Sequence, residues 1–175
     1  MKLLSEKQAL IKLRALKNDF RDFIKQNYEH RAKDCGTCET KGACCLDAHF
    51  VNVHITRLEA VLIREELEKF PPEKQKEIYR RIAETIEKYD LSSDGDTFQK
   101  TFACPLFEKG VGCLIHPVKP VPCIGHACYE RKEDLPPDEP QTEAQEKIER
   151  LNEQTYKQFP RWLALPVFLD LLNRR

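Results

Sequence analysis

The stretch Cys35-Gly36-Thr37-Cys38-Glu39-Thr40-Lys41-Gly42-Ala43-Cys44-Cys45 places four thiols and two glycines within eleven residues. Apolar residues recur in it neither at three-and-four spacing nor in alternation, so it reads as neither helix nor strand. A second such stretch lies between Phe102 and Tyr129, with Cys104, Cys113, Cys123 and Cys128. Pro105, Pro117, Pro120 and Pro122 fall inside it and rule out a long regular element. Irregular segments of this length are usually held by something. The chain is therefore expected to be mainly α, with two irregular cysteine-rich segments, about residues 32–48 and 102–129, that bind metal.

The flanks supply the helices. From Ser5 to Glu29, residues Leu10, Leu13, Leu16, Lys17, Phe20, Phe23, Ile24 and Asn27 fall on one helical face. Phe50, Val51, Val53 and Ile55 suggest a short extended piece. Thr56-Arg57-Leu58-Glu59 then fits a capping box, hydroxyl first and carboxylate three later, opening a helix to about Lys69. The next helix is expected from Pro72 to Tyr89, with Ile78, Ile82, Thr85, Ile86 and Tyr89 as its buried stripe. Leu91 to Asp96 reads as a turn, and Leu135 to Pro140 as a linker. A charged helix from Thr142 to Gln158 carries Ala144, Ile148, Leu151 and Tyr156 on its apolar side. The tail from Trp162 to Leu172 is apolar enough to pack on the body. No internal repeat is present, and 175 residues suit one domain, 1–175.

Composition narrows the function. With 29 basic and 29 acidic residues the net charge is zero, which argues against a broad nucleic-acid surface. No run of about 18 to 20 apolar residues occurs, so no membrane span is expected. The opening Met1-Lys2-Leu3-Leu4 is not expected to act as a signal peptide, because Ser5, Glu6, Lys7 and Gln8 interrupt the apolar run. The expected location is a reducing cytoplasm. There, eight cysteines indicate metal or redox chemistry rather than four disulfides.

The spacing agrees. A Cys-x-x-Cys places two sulfurs around one metal, and Cys-Pro recurs in iron–sulfur ligation. Five of the six glycines (Gly36, Gly42, Gly110, Gly112, Gly125) lie in the two cysteine segments, where a loop wrapping a metal needs positive φ and close backbone approach. The candidate ligands are Cys35, Cys38, Cys44, Cys45, Cys104, Cys113, Cys123 and Cys128. Four thiolates satisfy one zinc or one four-iron cluster, so eight make two sites, or one with spare thiols. Cys44 and Cys45 are adjacent and serve either two centres or one. An iron–sulfur cluster is the preferred cofactor and zinc the alternative, since only one Cys-x-x-Cys is present.

Other residues carry less. His116 and His126 lie in the second segment, where a ligand role competes with that of polar loop histidines. His49 and His54 are five apart, a poor helical pair, and His30 suits a helix end. Asp90 to Asp96 superficially follows a calcium loop, but its twelfth place is Thr101, where a bidentate Glu is needed. Glu59, Glu65, Glu66 and Glu68 read as a charged helix rather than a catalytic pair. A nucleophilic cysteine beside His126 is a less economical account than ligation.

These cysteines resemble the YkgJ-type cysteine-cluster family, the CxxCxxCC proteins, described as chelating zinc or iron. The resemblance rests on Cys35, Cys38, Cys44 and Cys45, on Cys104-Pro105, on Gly112-Cys113 followed by Ile115-His116, and on Lys119-Pro120-Val121-Pro122-Cys123. Five residues separate Cys38 from the cysteine pair, a longer gap than the family's; His116 stands for its Tyr, Lys119 for its Arg, and Ile124 for a frequent Arg. The resemblance implies that all eight cysteines are ligands. Flagellin lysine N-methylases are similar in their cysteine-cluster region, which implies methyl transfer as an alternative, although no glycine-rich nucleotide loop is seen. The remaining readings are a binding or electron-transfer module with an iron–sulfur cluster, an enzyme using the metal as Lewis acid or redox partner, and a zinc-stapled adaptor. The partners expected are a metal and, for an adaptor, another protein.

Overall fold

The computed structural model describes residues 3–33, 42–46, 52–157 and 161–174. In chain order its elements are α1 (Glu6–Asn27), α2 (Ala43–Leu46), β1 (His54–Ile55), α3 (Arg57–Leu67), α4 (Pro72–Lys88), β2 (Phe107–Glu108), β3 (Gly112–Cys113), α5 (Val121–Gly125), α6 (Asp138–Tyr156), β4 (Leu163–Ala164) and α7 (Leu165–Asn173), with short 3-10 turns between some of them. The fold is mainly helical, and the described residues form two compact units. Among them no helix is long and apolar enough to cross a membrane.

One unit holds residues 3–33 and 119–157, built from α1, α5 and α6. Ser5 caps α1 reciprocally: its Oγ accepts from Gln8 N–H (3.3 Å), and Gln8 Oε1 accepts from Ser5 N–H (3.2 Å). Helix α1 lies along α6 and α5 and buries Ala9, Leu10, Leu13, Lys17, Phe20 and Ile24. Of the expected stripe, Leu16 and Phe23 are half-buried and Asn27 is exposed. Helix α6 brings Ala144 and Ile148 to this core, and α5 brings Val121 and Ile124. It starts at Asp138, so the expected linker is shorter than its prolines suggested. Pro140 falls in the first turn, where a backbone N–H has no intrahelical acceptor to lose. At the far end Lys157 closes the helix in the left-handed region, φ 56°.

The other unit holds residues 42–46, 52–118 and 161–174. Helix α3 opens on the expected box: Thr56 Oγ1 accepts from Glu59 N–H (3.4 Å), while Glu59 Oε2 accepts from Thr56 N–H (3.2 Å). Helix α7 packs on α3 and α4. Its approach is fixed by β1 and β4, which pair antiparallel with His54 opposite Ala164 and Ile55 opposite Leu163. Leu58, Leu62, Ile63, Ile78, Ile82, Phe102, Leu106, Ile115 and Leu169 form a core shielded from water. The turn after α4 carries an Asp90–Lys100 ion pair (2.8 Å).

Candidate functional site

In this second unit the Cys104-Pro105-Leu106-Phe107 sequence folds into a turn closed by Phe107 N–H on the Cys104 carbonyl (3.3 Å). Pro105 fixes one φ and donates nothing. The next two N–H groups, of Leu106 and Phe107, favour the Cys104 thiolate. The chain then runs into the antiparallel hairpin β2–β3, which sets Cys113 directly across from Phe107. Three residues, 109–111, turn this hairpin, with Gly110 at φ 85° and Gly112 at φ 103°, a region that glycine enters without strain. Burial pushes the Cys104 thiol up to about 12. The two backbone N–H groups and the Arg81 charge pull it down, and the neighbouring Cys113 pushes it further up.

Helix α2 joins this hairpin. Gly42 sits at φ 80° under the Phe107 ring, and a Cβ there would lie 1.9 Å from Phe107 Cζ. The Gly42 carbonyl accepts from the N–H groups of Cys45 (2.8 Å) and Leu46 (3.0 Å), winding the cysteine pair into one helical turn. The Cys45 carbonyl in turn accepts from Cys104 N–H at 2.7 Å. Cys44, Cys45, Cys104 and Cys113 thus belong to one unit and are all partly exposed. Helix α4 flanks the hairpin: Arg81 Nη1 donates to the Phe107 carbonyl (3.4 Å), and Lys74 Nζ pairs with Glu108 Oε2 (2.6 Å).

The first unit holds Cys123 on α5 and Cys128 just after it, both partly exposed. Lys33 N–H donates to the Cys128 carbonyl (2.8 Å), and Ala32 bridges to Tyr129. Cys35 and Cys38 lie outside the described residues, as do His49, Phe50 and Val51.

No family model, curated protein or solved structure matches this chain. Its chemistry therefore has to be read from its own residues. Among the described residues, no three His, Cys, Asp or Glu side chains form a group that could hold a metal ion. His116 and His126 are exposed, His116 opening a 3-10 turn and His126 ending α5. His54 is committed elsewhere: its Nε2 bonds Thr97 Oγ1 at 2.8 Å, and its ring stacks on Phe98 at 4.1 Å.

Arg81, part-buried on α4 with its Nη1 on the Phe107 carbonyl, shares one helical face with Lys74, Ile78 and Thr85, so a cation sits inside the expected buried stripe.

Proposed function

We propose that this protein binds metal through cysteine thiolates, with Cys104 and Cys113 of the hairpin among the ligands. The observation that carries the reading is the bond from Cys104 N–H to the Cys45 carbonyl (2.7 Å), which joins the cysteine pair of α2 to the Cys104–Cys113 hairpin. The backbone N–H groups of Leu106 and Phe107 favour the Cys104 thiolate, the form that ligates. An iron–sulfur cluster is the preferred occupant, since Cys-Pro and N–H groups on sulfur suit one and would set its potential; when bound it would supply electron transfer or Lewis acidity. Zinc is the second reading. It is favoured by the hairpin that presents Cys104 and Cys113 nine residues apart, a compact holder for a single ion. The resemblance to the YkgJ-type family supports a metal in either case, and extends the ligand set to Cys35, Cys38, Cys123 and Cys128.

Cobalt(II) titration of the reduced full-length chain tests the reading. The parent is expected to develop thiolate-to-cobalt charge-transfer absorption, and Cys104→Ser and Cys113→Ser are each expected to diminish it. If both variants bind cobalt with the parent spectrum, the hairpin is not the centre.

A further inference from the structure

Two contacts hold the cysteine pair of α2 against the turn that leads into the hairpin. Cys104 N–H donates to the Cys45 carbonyl at 2.7 Å, a short backbone bond. Gly42, whose carbonyl winds α2, lies under the Phe107 ring, so close that a Cβ there would be 1.9 Å from Cζ. A backbone bond such as that between Cys104 and Cys45 sets the Cα atoms of its two residues about 5–6 Å apart. Cysteines joined by a disulfide usually have Cα atoms about 4.4–6.8 Å apart. Both residues are half-buried rather than sealed in the core. The neighbouring thiols are placed less well for such a link. Cys113 is paired with Phe107, three positions along from Cys104. Cys44 precedes Cys45 on one helical turn, where successive side chains point about 100° apart.

We propose that Cys45 and Cys104 form a reversible disulfide, a redox-sensitive clasp that fastens α2 to the hairpin when the two thiols are oxidised. The clasp needs only this thiol pair and does not rest on the metal reading above. Its oxidant is a small-molecule disulfide. One cysteine thiolate attacks a sulfur of that disulfide, leaving a mixed disulfide on the protein and releasing one small thiolate. The other cysteine thiolate then attacks the protein sulfur of the mixed disulfide, forming the S–S bond and releasing the second small thiolate. The two protein thiols lose two electrons and two protons, and the small disulfide becomes two thiols.

Glutathione disulfide, added to the reduced full-length chain in the presence of EDTA, tests the pairing. Remaining thiols are alkylated, and the chain is cleaved with trypsin and mapped by mass. The expected product links the peptide of residues 42–57 to that of residues 101–109. The unfolded chain supplies the contrast. Cys45 and Cys104 are 59 positions apart in sequence and Cys104 and Cys113 nine, so loop closure alone favours the shorter link roughly fifteenfold. Oxidation in urea is therefore expected to favour Cys104–Cys113 over Cys45–Cys104, and oxidation of the folded chain to reverse that order. Cys44→Ser is expected to keep the folded-state link and Cys45→Ser to lose it, and dithiothreitol to restore both thiols. The amides of Cys45, Leu46 and Cys104 are expected to exchange more slowly in the linked chain than in the dithiol. A folded chain that yields Cys104–Cys113, a Cys44 link, glutathione adducts alone or no link at all would overturn the assignment. So would the same order of products in urea as in the folded chain, or unslowed exchange at the three amides.

Discussion

Gly42→Ala is the substitution that the geometry resists most directly. Gly42 has φ 80°, and an added Cβ would meet three carbons of the Phe107 ring, the nearest at 1.9 Å. Two costs add. An alanine in the left-handed region costs about 1–2 kcal/mol. Forcing the Phe107 ring aside is an overpacking cost of about 1–3 kcal/mol. The sum, about 2–5 kcal/mol, falls on the seating of α2 against the hairpin. At about 1.4 kcal/mol per factor of ten, the contact should open at least about 30-fold more often. Amide hydrogen exchange of the metal-free protein reads this locally. Cys45 and Leu46 N–H bond the Gly42 carbonyl and Cys104 N–H bonds the Cys45 carbonyl, so all three amides should exchange faster by that factor. Core amides of α4 should hardly change. Adding Phe107→Ala should remove the steric share and leave that of φ. Unchanged exchange at Cys45 and Cys104 in Gly42→Ala would refute the reasoning.

Further outcomes follow from the same geometry. Thr56→Ala removes the hydroxyl that accepts from Glu59 N–H and should cost about 1 kcal/mol, read as a lower urea midpoint with unchanged slope. Ile82→Ala, at a side chain with no exposure, should cost about 2–5 kcal/mol in the same assay, and a loss under 1 kcal/mol would mean α4 does not pack as described. His54 is held below its ordinary value of 6.5, chiefly by burial, against the raising effects of an Asn52 backbone hydrogen bond and the Asp96 charge. The unfolded chain therefore takes up a proton first as pH falls, so this residue lowers stability from pH 6.5 down to its depressed folded value, below which the effect levels off. Against His54→Gln, the parent should lose stability more steeply over that window; parallel curves would remove His54 from the account. On the metal-binding proposal, loading with metal should raise the thermal midpoint and a chelator should reverse the rise, since a ligand bound only to the folded state stabilises by mass action.

Much of the helical frame was legible because its signals are local. Thr56 with Glu59 marks one helix start to the residue, and Ile78 with Ile82 marks the buried side of α4. The start of α6 was placed late, because Pro140 read as a breaker although it is harmless in a first turn. The extended piece expected up to Ile55 is β1, whereas its pairing with β4 and the hairpin β2–β3 were hidden for another reason. Strands of two residues carry no period, and β1 finds β4 more than a hundred residues away through tertiary packing alone. Lys17 shows the limit of polarity as a guide, as it is 2% exposed within the α1 stripe. Of the glycines in the cysteine segments, Gly42, Gly110 and Gly112 take positive φ, whereas Gly125, inside α5, does not. That Cys44, Cys45, Cys104 and Cys113 share one unit was not legible, because spacing does not record which loops meet.

The central claim, a cysteine-held metal, is tested most directly by metal and acid-labile sulfide analysis with the visible spectrum, on protein purified without oxygen. The expected result is a brown protein holding several irons and sulfides per chain, or, on the second reading, a colourless one holding zinc in stoichiometric amount. A chain that retains neither metal after loading with iron and sulfide or with zinc, while remaining folded and reduced, would contradict the account.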